Sequence, residues 1–154
     1  MKIFIPIKHN SQRVERKNFR NFGGEPLFKR TLLRYPDDEV YVDTDSDELL
    51  DLIRKDDRLA NVVAFSRKEK LRGHKVSVCD LIQDFIKTYN VESHVVQIHV
   101  TSPFLQRETI AKAEKFMEGH DSVVACNIYQ SRFWRKEAYG YCPVNHNPVK
   151  MEQT

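Results

Sequence analysis

Apolar and polar positions alternate along this chain in two distinct periods, and the switch between them sets out a series of strands and helices. Residues 2 to 7 form a short apolar run closed by a turn signal, which is the pattern of a central parallel strand buried on both faces. A polar loop runs from Lys8 to Gly24, and Pro26 then stands at the first turn of a helix whose apolar face carries Leu27, Phe28, Leu32 and Leu33. Glu39 to Asp43 alternates like a strand, and Thr44, Asp45 and Ser46 supply capping oxygens for a helix bearing Leu49, Leu50, Leu52 and Ile53. A third short strand is predicted over Asn61 to Phe65, followed by a charged loop from Ser66 to Lys75.

Val78, Leu81, Ile82, Phe85 and Tyr89 recur at intervals of three and four, predicting an amphipathic helix packed on a sheet. His94 to Val100 is predicted as a strand broken by Thr101-Ser102-Pro103. Arg107 to Glu118 is predicted as a helix ended by Gly119, and Asp121 to Ile128 as a last strand. Tyr139 to Pro148 reads as irregular structure or a short hairpin, and Trp134 as a packing residue. Strands alternating with helices imply an α/β fold, a mostly parallel sheet flanked by helices on both faces. Residues 1–154 read as a single domain. In such sheets ligands lie outside the carboxyl ends of the strands, which here means the loop from Lys8, the Asp43 to Asp47 run and the loop from Val100.

Composition adds exclusions. With 31% charged residues and a mean hydropathy of −0.59, the chain reads as a well-solvated globular protein. No apolar run reaches the roughly 18 residues of a membrane span, and the apolar start is too short for a secretory segment, so a cytoplasmic protein without a membrane partner is expected. Three cysteines, an odd number without CxxC spacing, predict reduced thiols rather than a disulfide framework or a zinc site.

The net charge is only +3, but residues 8 to 20 hold Lys8, Arg13, Arg16, Lys17 and Arg20 against Glu15 alone. A basic loop of this kind attracts phosphate, whether from a nucleotide, a nucleic acid or a lipid surface. A nucleic-acid partner is disfavoured, because the interleaved aromatics of common RNA readers are missing. His99 is predicted to face the ligand edge with Gln97 and Thr101, leaving Ile98 and Val100 to the core. Asp43, Asp45 and Asp47 could converge on a divalent cation, but Asp45 or Ser46 as a helix cap and Asp47 with Glu48 as first-turn acids explain them better, so no metal ligand is assigned.

The segment from Pro6 to Asn18, followed by Phe22-Gly23-Gly24-Glu25-Pro26-Leu27, is the most specific feature. It resembles the opening loop of the CMP-N-acylneuraminate cytidylyltransferases, P-A-R-x-G-S-K-x-x-x-x-K-N followed by F-G-G-K-P-L. Val42-Asp43-Thr44-Asp45-Ser46 resembles that family's strand ending in S-T-D-S, and Gln97 to Leu105 resembles its L-Q-P-T-S-P-L. Asp121-Ser122-Val123-Val124 and Trp134-Arg135 follow in the same order.

The resemblance implies a Rossmann-like fold of the nucleotide-diphospho-sugar transferase type. It implies a reaction in which a sialic-acid-like sugar acid attacks the α-phosphate of CTP, giving a CMP-sugar and pyrophosphate. By the same resemblance Lys17 is the catalytic cation, and Lys8, Asn10, Ser11, Gln12, Arg13, Asn18, Arg67 and His99 bind the nucleotide. Magnesium is the implied cofactor, CTP and a sugar acid the partners, and a homodimer the implied assembly.

The chain departs from the family pattern in places. Lys8 stands for arginine, Asn10 for glycine, Gln12 for lysine and His99 for glutamine. The family's Q-D-L-like stretch, dimerisation element and two magnesium-holding acids would follow the region of Pro148 to Thr154, so a fragment or a shortened protein is expected. On that expectation the 154 residues bind nucleotide without appreciable synthesis. A degenerate, non-catalytic nucleotide- or partner-binding module is the alternative.

Overall fold

The computed structural model describes residues 1–11, 13–73, 75–128 and 133–144. Its centre is a four-stranded sheet of β1 (Lys2–Ile7), β4 (Val40–Thr44), β5 (Val62–Ser66) and β6 (Val95–Gln97), in the order β5-β4-β1-β6 and parallel throughout. Two-residue strands β2 (Asn21–Phe22) and β3 (Glu25–Pro26) form a small hairpin between β1 and the first helix. Its tight turn is made by Gly23 and Gly24, both at positive φ (65° and 94°), where a side chain would be strained.

Side-chain alternation splits the core in two. Ile3, Ile5 and Ile7 of β1, with Val40 and Val42 of β4, pack under α1 (Leu27–Leu32), α2 (Asp47–Arg54) and Ile110 of α4 (Arg107–Lys115). Phe4 and Tyr41 point to the other face and meet Leu81 and Phe85 of α3 (Val78–Tyr89). Phe4 and Phe85 stack at 4.7 Å between ring centres, so an aromatic pair anchors this thinner second layer. Helices thus cover both faces of the sheet. α2 and α3 each begin on a side-chain cap: Ser46 Oγ accepts from the Leu49 amide, and Ser77 and Asp80 form a reciprocal capping box.

Three expectations need correction. The strand expected over His94 to Val100 is limited to Val95–Gln97, because β6 pairs with β1 only as far as Phe4. The strand expected over Asp121 to Ile128 does not form: the segment pairs with nothing among the described residues, and Val124 and Ile128 are 82% and 94% exposed. Its valines satisfy strand propensity, but a strand exists only where a neighbour takes its backbone hydrogen bonds. Trp134 does not pack in a core either. It opens β7 (Trp134–Glu137), which pairs antiparallel with β8 (Gly140–Pro143) in an exposed hairpin, earlier in the chain than the hairpin expected after Tyr139.

Candidate functional site

The strand order reverses at β1: the chain moves outward through β4 and β5 and then returns to the far side of β1 as β6. In parallel sheets this reversal leaves a crevice at the carboxyl edge, because the two loops leaving adjacent strands turn to opposite faces. Here the crevice has a further local cause. Even-numbered residues of β1 bond toward β6, with the Ile98 amide donating to the Phe4 carbonyl at 3.0 Å. The next rung would require an amide hydrogen on residue 6, and residue 6 is proline. Beyond Phe4 the two strands separate.

A cavity of about 650 Å³ opens at that point. Lys8, Asn10, Ser11, Arg13, Lys17, Asn18, Arg67 and His99 all line it. Every residue assigned to the site from the sequence is therefore on one cavity wall or another, except Gln12, which lies outside the described residues. Sequence reasoning missed the apolar wall. Val76, just before α3, and Val78 and Leu81 in its first turn also line the cavity; the spacing of Val78 and Leu81 had signalled only packing against the sheet, and nothing had singled out Val76.

The basic loop is held in shape by a neutral tie across its ends and by charged contacts to the neighbouring elements. Buried Asn18 donates from Nδ2 to the Lys8 carbonyl at 2.8 Å, tying the end of the loop to its beginning. The His9 amide donates to Asp45 Oδ1 at 2.7 Å, and the His9 ring nitrogen Nδ1 lies 2.7 Å from Ser46 Oγ. Of the two cap candidates, Ser46 caps α2 and also meets the loop, whereas Asp45 serves the loop alone. Arg16, at φ 47°, turns the chain into the 3-10 turn Lys17–Phe19, and its guanidinium pairs with Glu48 at 2.6 Å while covering the Phe19 ring. Lys8 Nζ donates to the Gly73 carbonyl at 2.7 Å and so joins this loop to the charged loop after β5. Among the described residues, Arg13 and Lys17 form no ion pair with a carboxylate, which leaves two cations facing a cavity with no internal counter-charge.

His99 is exposed on the cavity wall, whereas Ile98 and Val100 are 2% and 5% exposed in the core. His99 and Thr101 stand on the cavity as alternation predicts, although they lie just past the strand end, whereas Gln97, expected beside them, does not line it and its Nε2 is buried. Buried Thr31 on α1 holds this turn, its hydroxyl 2.9 Å from the Val100 carbonyl.

Arg67 is buried at 2% exposure and pairs with equally buried Asp43. Burial pushes the Asp43 carboxyl above its ordinary range, and the adjacent Arg67 charge pulls against that rise. Magnesium does not fit the carboxylates present. Asp43 is paired with Arg67, Asp45 accepts from the His9 amide, Asp47 lies in the first turn of α2, and no group of three metal-ligating side chains gathers among the described residues.

A family model described as cytidylyltransferase matches residues 3–132 of the chain. Pseudaminic acid cytidylyltransferase of Campylobacter jejuni is 27% identical over 123 residues, spanning 74% of this chain and 52% of the relative. N-acylneuraminate cytidylyltransferase of Streptococcus agalactiae is 24% identical over 123 residues, 76% of this chain and 29% of the relative. The chain thus spans about half or less of the length of these curated relatives. Among solved structures, a CMP:2-keto-3-deoxy-manno-octonic acid synthetase complexed with CTP superimposes with a TM-score of 0.60 at 18% identity, covering 76% of this chain and 46% of the other. A cytidylyltransferase of Leptospira borgpetersenii gives 0.58 at 20% identity, covering 77% and 49%. These two similarities show the nucleotide-diphospho-sugar transferase fold.

Proposed function

The chain belongs to the cytidylyltransferase family, and from that premise we propose that its cavity binds CTP and presents the α-phosphate to a sugar acid of the sialic-acid class. In the proposed reaction a hydroxyl oxygen of the sugar acid bonds to the α-phosphorus, the bond from that phosphorus to the bridging oxygen breaks, and pyrophosphate leaves with the electron pair. The hydroxyl proton passes to solvent. Little covalent chemistry falls to the protein, so positioning and charge neutralisation are its tasks.

One observation carries this reading: eight residues spread from position 8 to position 99 meet on one cavity, and two of its cations, Arg13 and Lys17, face it without a carboxylate partner. Lys17 is the cation assigned to the phosphate that gains charge. Ser11 and Arg13 hold the rest of the triphosphate, and Asn10, Asn18, Arg67 and His99 line the nucleoside or sugar side. Lys8 exchanges its Gly73 carbonyl for phosphate when the nucleotide enters. The sugar-acid class is supported by relatives named for N-acylneuraminate and pseudaminic acid.

The test is calorimetric titration of the chain with CTP, followed by incubation with CTP, magnesium and N-acetylneuraminic or pseudaminic acid while pyrophosphate is measured. Binding followed by sugar-dependent pyrophosphate release supports the reading. Binding without release under every sugar acid favours the non-catalytic nucleotide-binding alternative, and failure to bind CTP removes both.

A further inference from the structure

The buried pair between Arg67 and Asp43 has an incomplete set of hydrogen bonds. Arg67 Nε donates to both Asp43 carboxylate oxygens, at 3.1 Å each, and Nη2 donates to the Asp43 carbonyl at 3.2 Å. The Arg67 amide donates to the Thr44 carbonyl at 2.7 Å, so backbone and side chain are fixed by the same stretch of β4. Nη1, however, is buried without a partner among the described residues. Leaving a guanidinium nitrogen dry and unpaired is costly. An arrangement serving stability alone would have satisfied it or dispensed with the charge. Arg67 lines the cavity, whereas Asp43 does not.

We propose that Asp43 is a positioning residue for ligand binding: it holds the Arg67 guanidinium in one orientation, with Nη1 kept as the donor reserved for the nucleotide. Asp43 touches no ligand and acts only through Arg67. Its placement follows from sheet register, since Asp43 is paired with Phe65 on β5 and Arg67 follows two residues later. An arginine free to rotate on an open loop would lose entropy on capture; one clamped on two sides by Asp43 has lost it already. The carboxylate also balances the guanidinium charge, so the side chain adds a directed donor to the cavity without adding to the positive field of Arg13 and Lys17.

This proposal rests on the CTP-binding reading. The experiment is a double-mutant cycle on the full chain, with CTP affinity measured by calorimetry for the unsubstituted protein, Asp43→Asn, Arg67→Gln and the combination. Asp43→Asn is expected to weaken CTP roughly tenfold, the loss of one charge-assisted hydrogen bond. In the Arg67→Gln background the same change is expected to do nothing further. Additive losses in the two backgrounds, or no loss from Asp43→Asn, overturn the positioning role while leaving CTP binding intact. Asp43→Ser, a smaller neutral replacement that admits a water, repeats the measurement if Asp43→Asn does not fold. Unfolding of both, read by circular dichroism, makes Asp43 a purely structural partner and overturns the proposal. Absence of CTP binding in the unsubstituted chain overturns both readings at once.

Discussion

Asn18 and Lys8 are joined by a hydrogen bond of 2.8 Å from the Asn18 side-chain amide to the Lys8 carbonyl, so the two ends of the basic loop are fastened together beneath the cavity. Asn18 is 5% exposed, and its removal leaves a carbonyl unpaired in a partly buried position. Asn18→Ala is expected to lower stability by about 1–3 kcal/mol, the cost of an unsatisfied buried group. It should also weaken CTP binding, because Lys8 and Lys17 lose their fixed separation. Denaturant unfolding and calorimetry on the same variant check both effects; a stability loss with unchanged CTP affinity would make the bond structural only.

Lys17→Ala isolates charge from architecture. Lys17 makes no ion pair among the described residues, so its loss is expected to leave the unfolding midpoint unchanged. CTP affinity is expected to fall by about 1–3 kcal/mol, the range for a lost charge-assisted hydrogen bond. Calorimetry showing parent-like affinity would remove Lys17 from the site.

His99 provides a probe without substitution. His99 lines the cavity, while His120 lies beyond α4 and is not among the lining residues. Addition of CTP is expected to shift the His99 ring resonances and leave those of His120 in place. A His99 ring unmoved at saturating CTP would place the ligand elsewhere.

Acid stability follows from a surface network at the base of α1. Asp56 is held well below the ordinary carboxylate range by hydrogen bonds from Arg58 and Lys29, and Glu25 is lowered mainly by Arg58. A lowered folded-state pKa means that the folded chain binds fewer protons than the unfolded chain, so the contribution is fully present above the ordinary range and fades as pH falls from there through the depressed folded-state value. Asp56→Asn is therefore expected to destabilise the chain at pH 7 and to do so by a smaller margin at pH 4 and a smaller one again at pH 2. Buried Asp43 works in the opposite sense, its raised pKa favouring the folded state on the acid side, which is why the comparison uses the difference between parent and variant. Urea midpoints at pH 7, 4 and 2 check the convergence; a constant gap would show that Asp56 contributes by something other than its charge.

The parallel sheet and its helices were legible because each element carries its own period: β1 is a continuous apolar run and α3 repeats at three and four. The candidate site was legible where its residues share the basic loop; Arg67 was placed with them only by the family resemblance, and His99 by that resemblance and by strand alternation. Features that depend on a distant partner were not legible. Nothing around Asp43 announces Arg67, which reaches it through the β4–β5 register 24 residues later. The valines of 121–128 announce a strand equally well whether or not a neighbour is there to accept it, and their backbone finds no strand partner among the described residues. Trp134 misled for the same reason, since its apolar bulk says what it would gain from burial and not whether the fold supplies a cover.

Pro6 gives the cavity an unusual kind of permanence. Many binding crevices stay open only because side chains prop them apart, and a mutation or a change of conditions lets the walls collapse together. Here the ladder between β1 and β6 stops at an imino acid whose nitrogen has no hydrogen to offer, so closing the gap would leave the next rung without its donor. The opening is encoded in a covalent ring, and it is present before any ligand arrives.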